Sequence, residues 1–221
     1  MKLKLAILLT GIYLSLSSWA DNLYSDFPVQ IKANEKYVFY SHGLIVEGDN
    51  PTPVHRRWGK YDFPAVKQAL QDEAYNLIAY HRAKGTNPRE FAIKLATDID
   101  KLVKQGVPYK NITILGFSRG GEITARTSNI VASNEMNTII LAACAGMLKA
   151  DASIKLYGNV YSIYETSDGV GSCQFVIDRS PNVQHFSELA ISTGLEHGAF
   201  YRPIPPWVKP LKSWLKNIAI K

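Results

Sequence analysis

The segment from Asn111 to Gly121 constrains the fold more than any other part of the chain. Its sequence, NITILGFSRGG, is a short apolar run that leads through Gly-x-Ser-x-Gly into a helix-like stretch. A serine at such a strand-to-helix turn is held in a strained, exposed position with its hydroxyl free. Gly116 and Gly120 are expected there because a Cβ two residues from Ser118 would collide across so tight a turn. The following helix directs its first N–H groups toward the same point.

Apolar strand-like runs alternate with helical segments along the rest of the chain. The predicted strands are residues 37–40, 76–80, 112–115, 138–143, 159–164 and 186–191. The predicted helices are residues 64–73, a helix that begins at Pro88 with Asn87 as N-cap and ends at Gly106, a helix after Ser118, and residues 207–218. Strands that are mostly apolar, rather than alternating between polar and apolar residues, indicate a parallel sheet covered on both faces. The sequence therefore predicts an α/β domain with a mostly parallel central sheet and helices on both faces.

The first twenty residues have the organisation of a secretory signal peptide. A basic start precedes a mostly apolar stretch, residues 5–16, which is too short to span a bilayer. Ser18 and Ala20 place small residues at the −3 and −1 positions of a cleavage site. We predict cleavage after Ala20 and a single exported domain, residues 21–221, periplasmic or secreted, without a stable membrane anchor. An uncleaved anchor is the alternative.

The distribution of charged residues, cysteines and histidines argues against nucleic-acid binding and against a zinc site. The 221-residue chain has a net charge of +6. Because residues 1–20 contain two lysines and no acidic residue, the remainder has a net charge of +4. The basic residues form no block or aromatic-interleaved stripe, so nucleic-acid binding is not expected. No Cys and His spacing resembles a zinc site, and we expect neither a metal nor a cofactor.

A serine hydroxyl needs a base within hydrogen-bond reach, and the base needs an anionic group to orient it. Of the five histidines, only His197 lies in a Gly-bounded loop after the last predicted strand. Asp168 follows the preceding predicted strand in a Ser-Asp-Gly turn. Glu165 and Asp178 remain alternatives for the acid. The order along the chain is then Ser118, Asp168, His197.

An oxyanion site needs two backbone N–H donors. Arg119 directly follows the serine, and a second donor is expected from the early loop Ser41-His42-Gly43-Leu44, after the first predicted strand. With these elements in this order, the chain resembles the α/β-hydrolase family over residues 37–221.

The resemblance implies a role for each site residue. Ser118 would be the nucleophile, His197 the general base and then acid, and Asp168 the residue that orients His197. The N–H groups of Leu44 and Arg119 would form the oxyanion hole. The implied reaction is acyl transfer to water through an acyl-serine intermediate, and it requires no cofactor.

The chain departs from many members of the family by its short connection between residues 138–143 and 159–164. About fifteen residues leave no room for a helical lid, so an open site is expected. The polar, Pro/Gly-rich stretch 47–61 is its predicted cover. Within that stretch, Trp58, Tyr61 and the pair Arg56-Arg57 are candidates for the mouth of the site.

The two cysteines, Cys144 and Cys173, each follow a predicted strand. In an oxidising compartment an isolated pair is often bridged. If the two strands are neighbours, a disulfide would brace the loop that holds Asp168.

The sequence thus predicts a serine hydrolase that cleaves an ester, thioester or similar acyl bond of a small-molecule substrate. An acyltransferase with the same three residues, or a non-catalytic binding protein on the same scaffold, are the alternatives. The oligomeric state stays open.

Overall fold

The computed structural model describes residues 22–217. The predicted signal peptide, residues 1–20, lies outside the described residues, as does Ile218.

The strands are β1 (Leu23–Tyr24), β2 (Tyr37–Ser41), β3 (Val54–His55), β4 (Gly59–Lys60), β5 (Asn76–Ile78), β6 (Ile112–Phe117), β7 (Asn137–Leu141), β8 (Gly158–Glu165) and β9 (Val183–Ile191). The α-helices are α1 (Phe63–Leu70), α2 (Pro88–Lys104), α3 (Arg119–Val131), α4 (Gly146–Ala150), α5 (Gln174–Asp178) and α6 (Pro205–Asn217). Within 22–217, no helix is long and apolar enough to cross a membrane.

Seven of these strands form one sheet, in the order β1-β5-β2-β6-β7-β8-β9. Every pairing between neighbours in this sheet is parallel, which confirms the predicted arrangement. Gly116 of β6 lies opposite Ser41 of β2, and Phe117 lies opposite Leu141 of β7. The carboxyl ends of the central strands therefore meet along one edge, where the predicted site residues follow.

Helices cover both faces of the sheet. Successive residues of a strand point to opposite faces. On β2, Val38 and Tyr40 pack in a cluster with buried residues of α1 and α6. Tyr37 and Phe39 pack instead with α2 and with Ile123 of α3. Both faces of the central strands β2, β5, β6 and β7 are buried along their whole length, which explains why their sequences are mostly apolar.

Helix α2 begins as predicted. The Asn87 side chain accepts hydrogen bonds from the backbone N–H groups of Arg89 and Glu90, at 2.9 and 3.3 Å. Pro88 occupies the first helical position, where its missing N–H costs nothing. The residues that α2 buries are Ala92, Leu95, Asp98, Ile99 and Leu102.

Five short elements of the structure were not predicted from the sequence. Strand β1 lies at the edge of the sheet, within a lead-in where no strand was predicted. The stretch 47–61 is not a featureless loop, since β3 and β4 pair within it as an antiparallel hairpin. Helices α4 and α5, five residues each, were also missed. Strands of two residues and helices of little more than one turn are too short to show a periodicity.

The predicted disulfide is present. Cys144 and Cys173 are bridged, with their Cα atoms 5.0 Å apart. β7 and β8, the strands that precede them, are neighbours in the sheet. The connection between these strands contains only α4, so no helical lid is inserted there.

Candidate active site

Ser118 lies at the sharp turn between β6 and α3. Its backbone has φ 55° and ψ −119°, in the left-handed region that non-glycine residues rarely adopt. A Cβ on Gly116 would lie 2.1 Å from the carbonyl oxygen of Gly120, and a Cβ on Gly120 would lie 1.9 Å from that of Ser41. Both glycines of the motif are therefore required by the close approach of backbone across the turn.

His197 lies between Ser118 and Asp168. Its Nε2 is 2.8 Å from Oγ of Ser118, and its Nδ1 is 2.6 Å from Oδ2 of Asp168. The side chains of His197 and Asp168 are 12% and 9% exposed. Because the Asp168 carboxylate can only accept, Nδ1 carries a proton when Asp168 is ionised, which leaves Nε2 to accept the serine proton.

The two alternative acids lie elsewhere. Asp178 is exposed and accepts a hydrogen bond from the Gln174 side chain at 2.8 Å. Glu165 is fully buried at the end of β8 and faces backbone N–H groups rather than His197. Of the three carboxylates considered, the structure brings only Asp168 within hydrogen-bond distance of His197.

Glu165 instead joins the two loops that carry Asp168 and His197. It accepts hydrogen bonds from the backbone N–H of Ser167 and Thr193, both at 2.7 Å, and of Gly194 at 3.1 Å. The Ser167 hydroxyl donates to the same carboxylate. Burial alone would raise the pKa of Glu165, but these hydrogen bonds to the ionised form lower it to about 2.

His42, in the predicted oxyanion loop, is a buried structural histidine. Its Nε2 accepts the backbone N–H of Arg82 at 3.0 Å, so its proton lies on Nδ1, which donates to the carbonyl oxygen of Gly43 at 2.8 Å. Burial and the nearby Arg82 charge lower the pKa of His42 to about 2. The ring is therefore neutral and fixes the backbone of its own loop.

The buried side chain of Arg82 contacts the same loop, which contains His42 and Gly43. Its guanidinium donates to the carbonyl oxygen of His42 at 2.5 Å and pairs with Glu47 at 3.4 Å. The side chains of Arg82 and Glu47 are 0% and 3% exposed. A buried ion pair of this kind contributes little net stability, because removing both charges from water is costly. It fixes the geometry of the loop, because breaking the pair would leave a buried charge without a partner.

The residues of the two predicted oxyanion donors, Leu44 and Arg119, each line a pocket that Ser118 also lines. Leu44 begins a short 3-10 helix, Leu44–Val46, and Arg119 is the first residue of α3. N–H groups at these positions have no acceptor within their own helix. The N–H of Gly43 is occupied, because it donates to the Tyr61 hydroxyl at 3.2 Å.

An aromatic pocket of about 230 Å³ opens on one side of Ser118 and His197. Its other lining residues are Gly43, Leu44, Ile45, His55, Trp58, Tyr61, Phe117 and Tyr201. As predicted, Trp58 and Tyr61 lie at the site. Arg56 and Arg57 do not line the pocket; Arg57 is exposed and pairs with Glu196 at 2.6 Å.

Glu196 and His55 also lie at the site, and neither was predicted from the sequence. Glu196 accepts the Trp58 indole N–H at 2.9 Å, and its backbone has a positive φ of 51° directly before His197. His55 stacks on Trp58 with ring centroids 4.3 Å apart. The only signal for Glu196 was its position beside His197, and His55 gave none, since its contact depends on the hairpin.

A second pocket, of about 190 Å³, lies on the other side of Ser118 and His197. Small residues after β7 form much of its wall: Ala142, Ala143, Ala145 and Gly146. Arg119, Glu122, Met147 and Val170 complete it. Among residues 22–217, no three His, Cys, Asp or Glu side chains are grouped as a metal site would require.

Comparison with known proteins identifies the fold. No protein-family model matches the chain, and no curated protein matches it in sequence. Solved structures do match: SOBER1 of Arabidopsis thaliana has a TM-score of 0.55 at 16% identity, over 85% of this chain and 100% of that chain. A lipase-esterase related protein from Clostridium acetobutylicum ATCC 824 has a TM-score of 0.52 at 14% identity, over 85% of this chain and 96% of its own.

An arylesterase structure matches with a TM-score of 0.53 at 12% identity, over 87% of this chain and 79% of that chain. These matches show that the chain has the α/β-hydrolase fold, as its motif order suggested.

Proposed function

We propose that the protein is a serine hydrolase that cleaves a small ester, thioester or similar acyl bond through an acyl-serine intermediate. The observation that carries the proposal is the chain of hydrogen bonds from Ser118 Oγ to His197 Nε2, at 2.8 Å, and from His197 Nδ1 to Asp168 Oδ2, at 2.6 Å. Among solved structures of the same fold, one is named an arylesterase and another a lipase-esterase related protein.

The reaction follows from this geometry. As Ser118 Oγ bonds to the acyl carbon, its proton moves to His197 Nε2 and the carbonyl oxygen becomes an oxyanion. The N–H groups of Leu44 and Arg119 stabilise that oxyanion. When the tetrahedral intermediate collapses, the bond to the leaving group breaks and His197 gives its proton to that group.

Water then completes the cycle. His197 removes a proton from a water molecule as its oxygen attacks the acyl-serine, and Ser118 Oγ recovers the proton as the ester bond breaks. Asp168 stays ionised throughout and stabilises the imidazolium form of His197. A substrate has two parts, or arms, which are the acyl group and the leaving group. The two pockets beside Ser118 provide a separate space for each arm.

A fluorophosphonate probe tests the nucleophile. We expect the probe to label the wild-type protein and to leave Ser118→Ala unlabelled. Ser213→Ala, at an exposed position on α6, is the matched control and should label normally. Absence of wild-type labelling, or equal labelling of Ser118→Ala, would contradict the proposal. Product analysis with an added alcohol acceptor then distinguishes hydrolysis from acyl transfer.

Export is part of the proposal. It is supported by the signal-like sequence of residues 1–20 and by the Cys144–Cys173 bridge, because disulfides persist mainly in oxidising compartments. The mass of the protein recovered after secretion from a bacterial host tests it. Loss of residues 1–20 is the expected result, and a chain that retains them would contradict cleavage after Ala20.

A further inference from the structure

The second pocket beside Ser118 continues into a groove that follows α3 and reaches the first residues of α2. The residues that it shares with a neighbouring pocket of about 460 Å³ are Arg119, Glu122 and Met147. The residues that this neighbour shares with a third pocket, of about 220 Å³, are Arg89, Arg126 and Asp151. We call this continuous depression the arginine groove. It begins at the proposed nucleophile and leads away from the aromatic pocket.

The carboxylates of the arginine groove are both engaged by one arginine. Arg126 contacts Glu122 at 3.0 Å and Asp151 at 3.6 Å, and its side chain is 16% exposed. This arrangement leaves neither Glu122 nor Asp151 facing a second arginine at ion-pair distance. The other two arginines of the groove are therefore left to face solvent or a ligand.

Arg89 and Arg119 have no carboxylate partner within 4.0 Å among the described residues. Arg119 is partly buried and directly follows Ser118, whereas Arg89 is exposed at the far end. Both lie in the first turn of a helix, where the helix dipole disfavours a positive charge by about 0.3–1 kcal/mol. Fold stability therefore does not explain two arginines at these positions.

We propose that the arginine groove binds a carboxylate carried by one arm of the substrate, while the aromatic pocket takes the other, apolar arm. A guanidinium recognises a carboxylate through two parallel N–H donors, which makes arginine suited to this task. Arg119 binds the carboxylate near the reacting carbon, and Arg89 extends the positive surface along the groove. This proposal rests on the proposed hydrolase function and names its substrate class: half-esters and other acidic esters.

Two matched substrate pairs test the proposal and locate the carboxylate. The first pair, mono-p-nitrophenyl glutarate and its methyl ester, places the charge on the acyl arm. The second pair, 6-acetoxyhexanoate and its methyl ester, places it on the alcohol arm. In at least one pair we expect the acidic member to have a kcat/KM about tenfold higher at low ionic strength, with a preference that falls in 0.5 M salt.

Substitutions assign the preference to the groove. We expect Arg119→Gln to reduce the acidic-to-neutral ratio of kcat/KM by about fivefold or more, and Arg89→Gln to reduce it by a smaller factor. Arg56→Gln removes the same charge at an exposed position outside the groove and should leave the ratio unchanged. A preference that falls equally in Arg56→Gln would mean general attraction by the net positive charge and would overturn the groove assignment.

The neutral substrates separate this proposal from the one on which it rests. If the wild type hydrolyses the neutral members and shows no acidic preference in either pair, the arginine groove proposal is wrong and the hydrolase proposal stands. A preference that survives both Arg89→Gln and Arg119→Gln also overturns it. If no ester is cleaved and the probe does not label Ser118, both proposals fall.

Discussion

The carboxylate of Glu165 accepts a hydrogen bond at 2.7 Å from the backbone N–H of Thr193, which lies 28 residues later in the chain. The same carboxylate accepts the N–H of Ser167, next to Asp168. One buried anion therefore sets the distance between the loop of Asp168 and the loop of His197. Glu165 is a positioning residue, because it acts on the proposed reaction only through these backbones.

We expect Glu165→Gln to lower kcat roughly 10–100-fold with little change in KM, because small displacements of reacting groups are costly. An amide cannot accept from all the donors around Glu165, so the variant should also unfold more easily, by about 1–3 kcal/mol. Kinetics on a neutral ester and urea denaturation measure the two effects. A variant that is less stable but has wild-type kcat would restrict Glu165 to a purely structural role.

The pH dependence of the same variant gives a second measurement. The pKa of Glu165 is about 2 in the folded protein, below its ordinary value of 4.5. Its ionised form therefore stabilises the fold fully above pH 4.5, and this contribution is lost as the pH falls from 4.5 toward 2. The stability difference between wild type and Glu165→Gln should shrink over that interval. A difference that stays constant there would show that Glu165 does not ionise in this way.

The sequence could not decide whether Glu165 or Asp168 pairs with His197. Glu165 is the last residue of β8 and Asp168 lies three residues later. No local sequence pattern tells which of the two carboxylates faces a histidine. The answer depends on the loop around Thr193, which is distant in sequence. By contrast, the turn at Ser118 could be predicted because the collisions that require its glycines arise within β6, α3 and the neighbouring strand.

Several contacts around the aromatic pocket also depend on parts of the chain that are distant in sequence. The hairpin of β3 and β4 has strands of two residues, so no alternation identified it. Trp58 and Tyr61 could be proposed as aromatic residues in a long polar stretch, but the bond from Gly43 to Tyr61 could not. The sequence also could not show that Arg57 pairs with a carboxylate, that of Glu196, whereas Arg119 has no carboxylate partner among the described residues.

His42 should make the protein sensitive to mild acid. Its pKa is about 2 when folded and 6.5 ordinarily, so below pH 6.5 the unfolded state binds a proton that the folded state does not. Stability should therefore fall as the pH drops from 6.5, by up to about 1.4 kcal/mol per pH unit. In His42→Gln, the free energy of unfolding should lose the part of its pH dependence between pH 7 and 5 that comes from His42. His185→Gln, at an exposed position, should keep the wild-type slope; an unchanged slope in His42→Gln would contradict the prediction.

The hydroxyl oxygen of Tyr61 should stabilise the oxyanion loop, because it accepts the backbone N–H of Gly43. In Tyr61→Phe the buried N–H of Gly43 loses its acceptor, which costs about 1–3 kcal/mol of stability and should lower kcat. Tyr40→Phe removes the other partner of the Tyr61 hydroxyl, 3.1 Å away, and leaves the Gly43 bond intact. Denaturation and steady-state kinetics of the two variants are compared. Equal losses of kcat would mean that the Gly43 bond has no special role.

The disulfide should stabilise the loop after Asp168. A thiol assay on unreduced, denatured protein is expected to find no free thiol. The double variant Cys144→Ala/Cys173→Ala should lose about 2–4 kcal/mol of stability, because the bridge closes a loop across a separation of 29 residues in the unfolded chain. Reduction of the wild type should lower its melting temperature but not that of the variant. Two reactive thiols in the unreduced protein would show that the bridge does not form.

Asp168→Asn tests the orientation of His197 without changing the shape of the site. An asparagine can offer its N–H₂ group to Nδ1, which favours the tautomer with its proton on Nε2, where it can no longer accept from Ser118. By analogy with the same change in serine proteases, kcat should fall roughly 10³–10⁴-fold, while KM changes little. Asp178→Asn is the matched control, since its carboxylate contacts Gln174 on the surface, and should retain wild-type kinetics. If Asp168→Asn keeps kcat within tenfold of the wild type, the bond of 2.6 Å between Asp168 and His197 is not what orients the base.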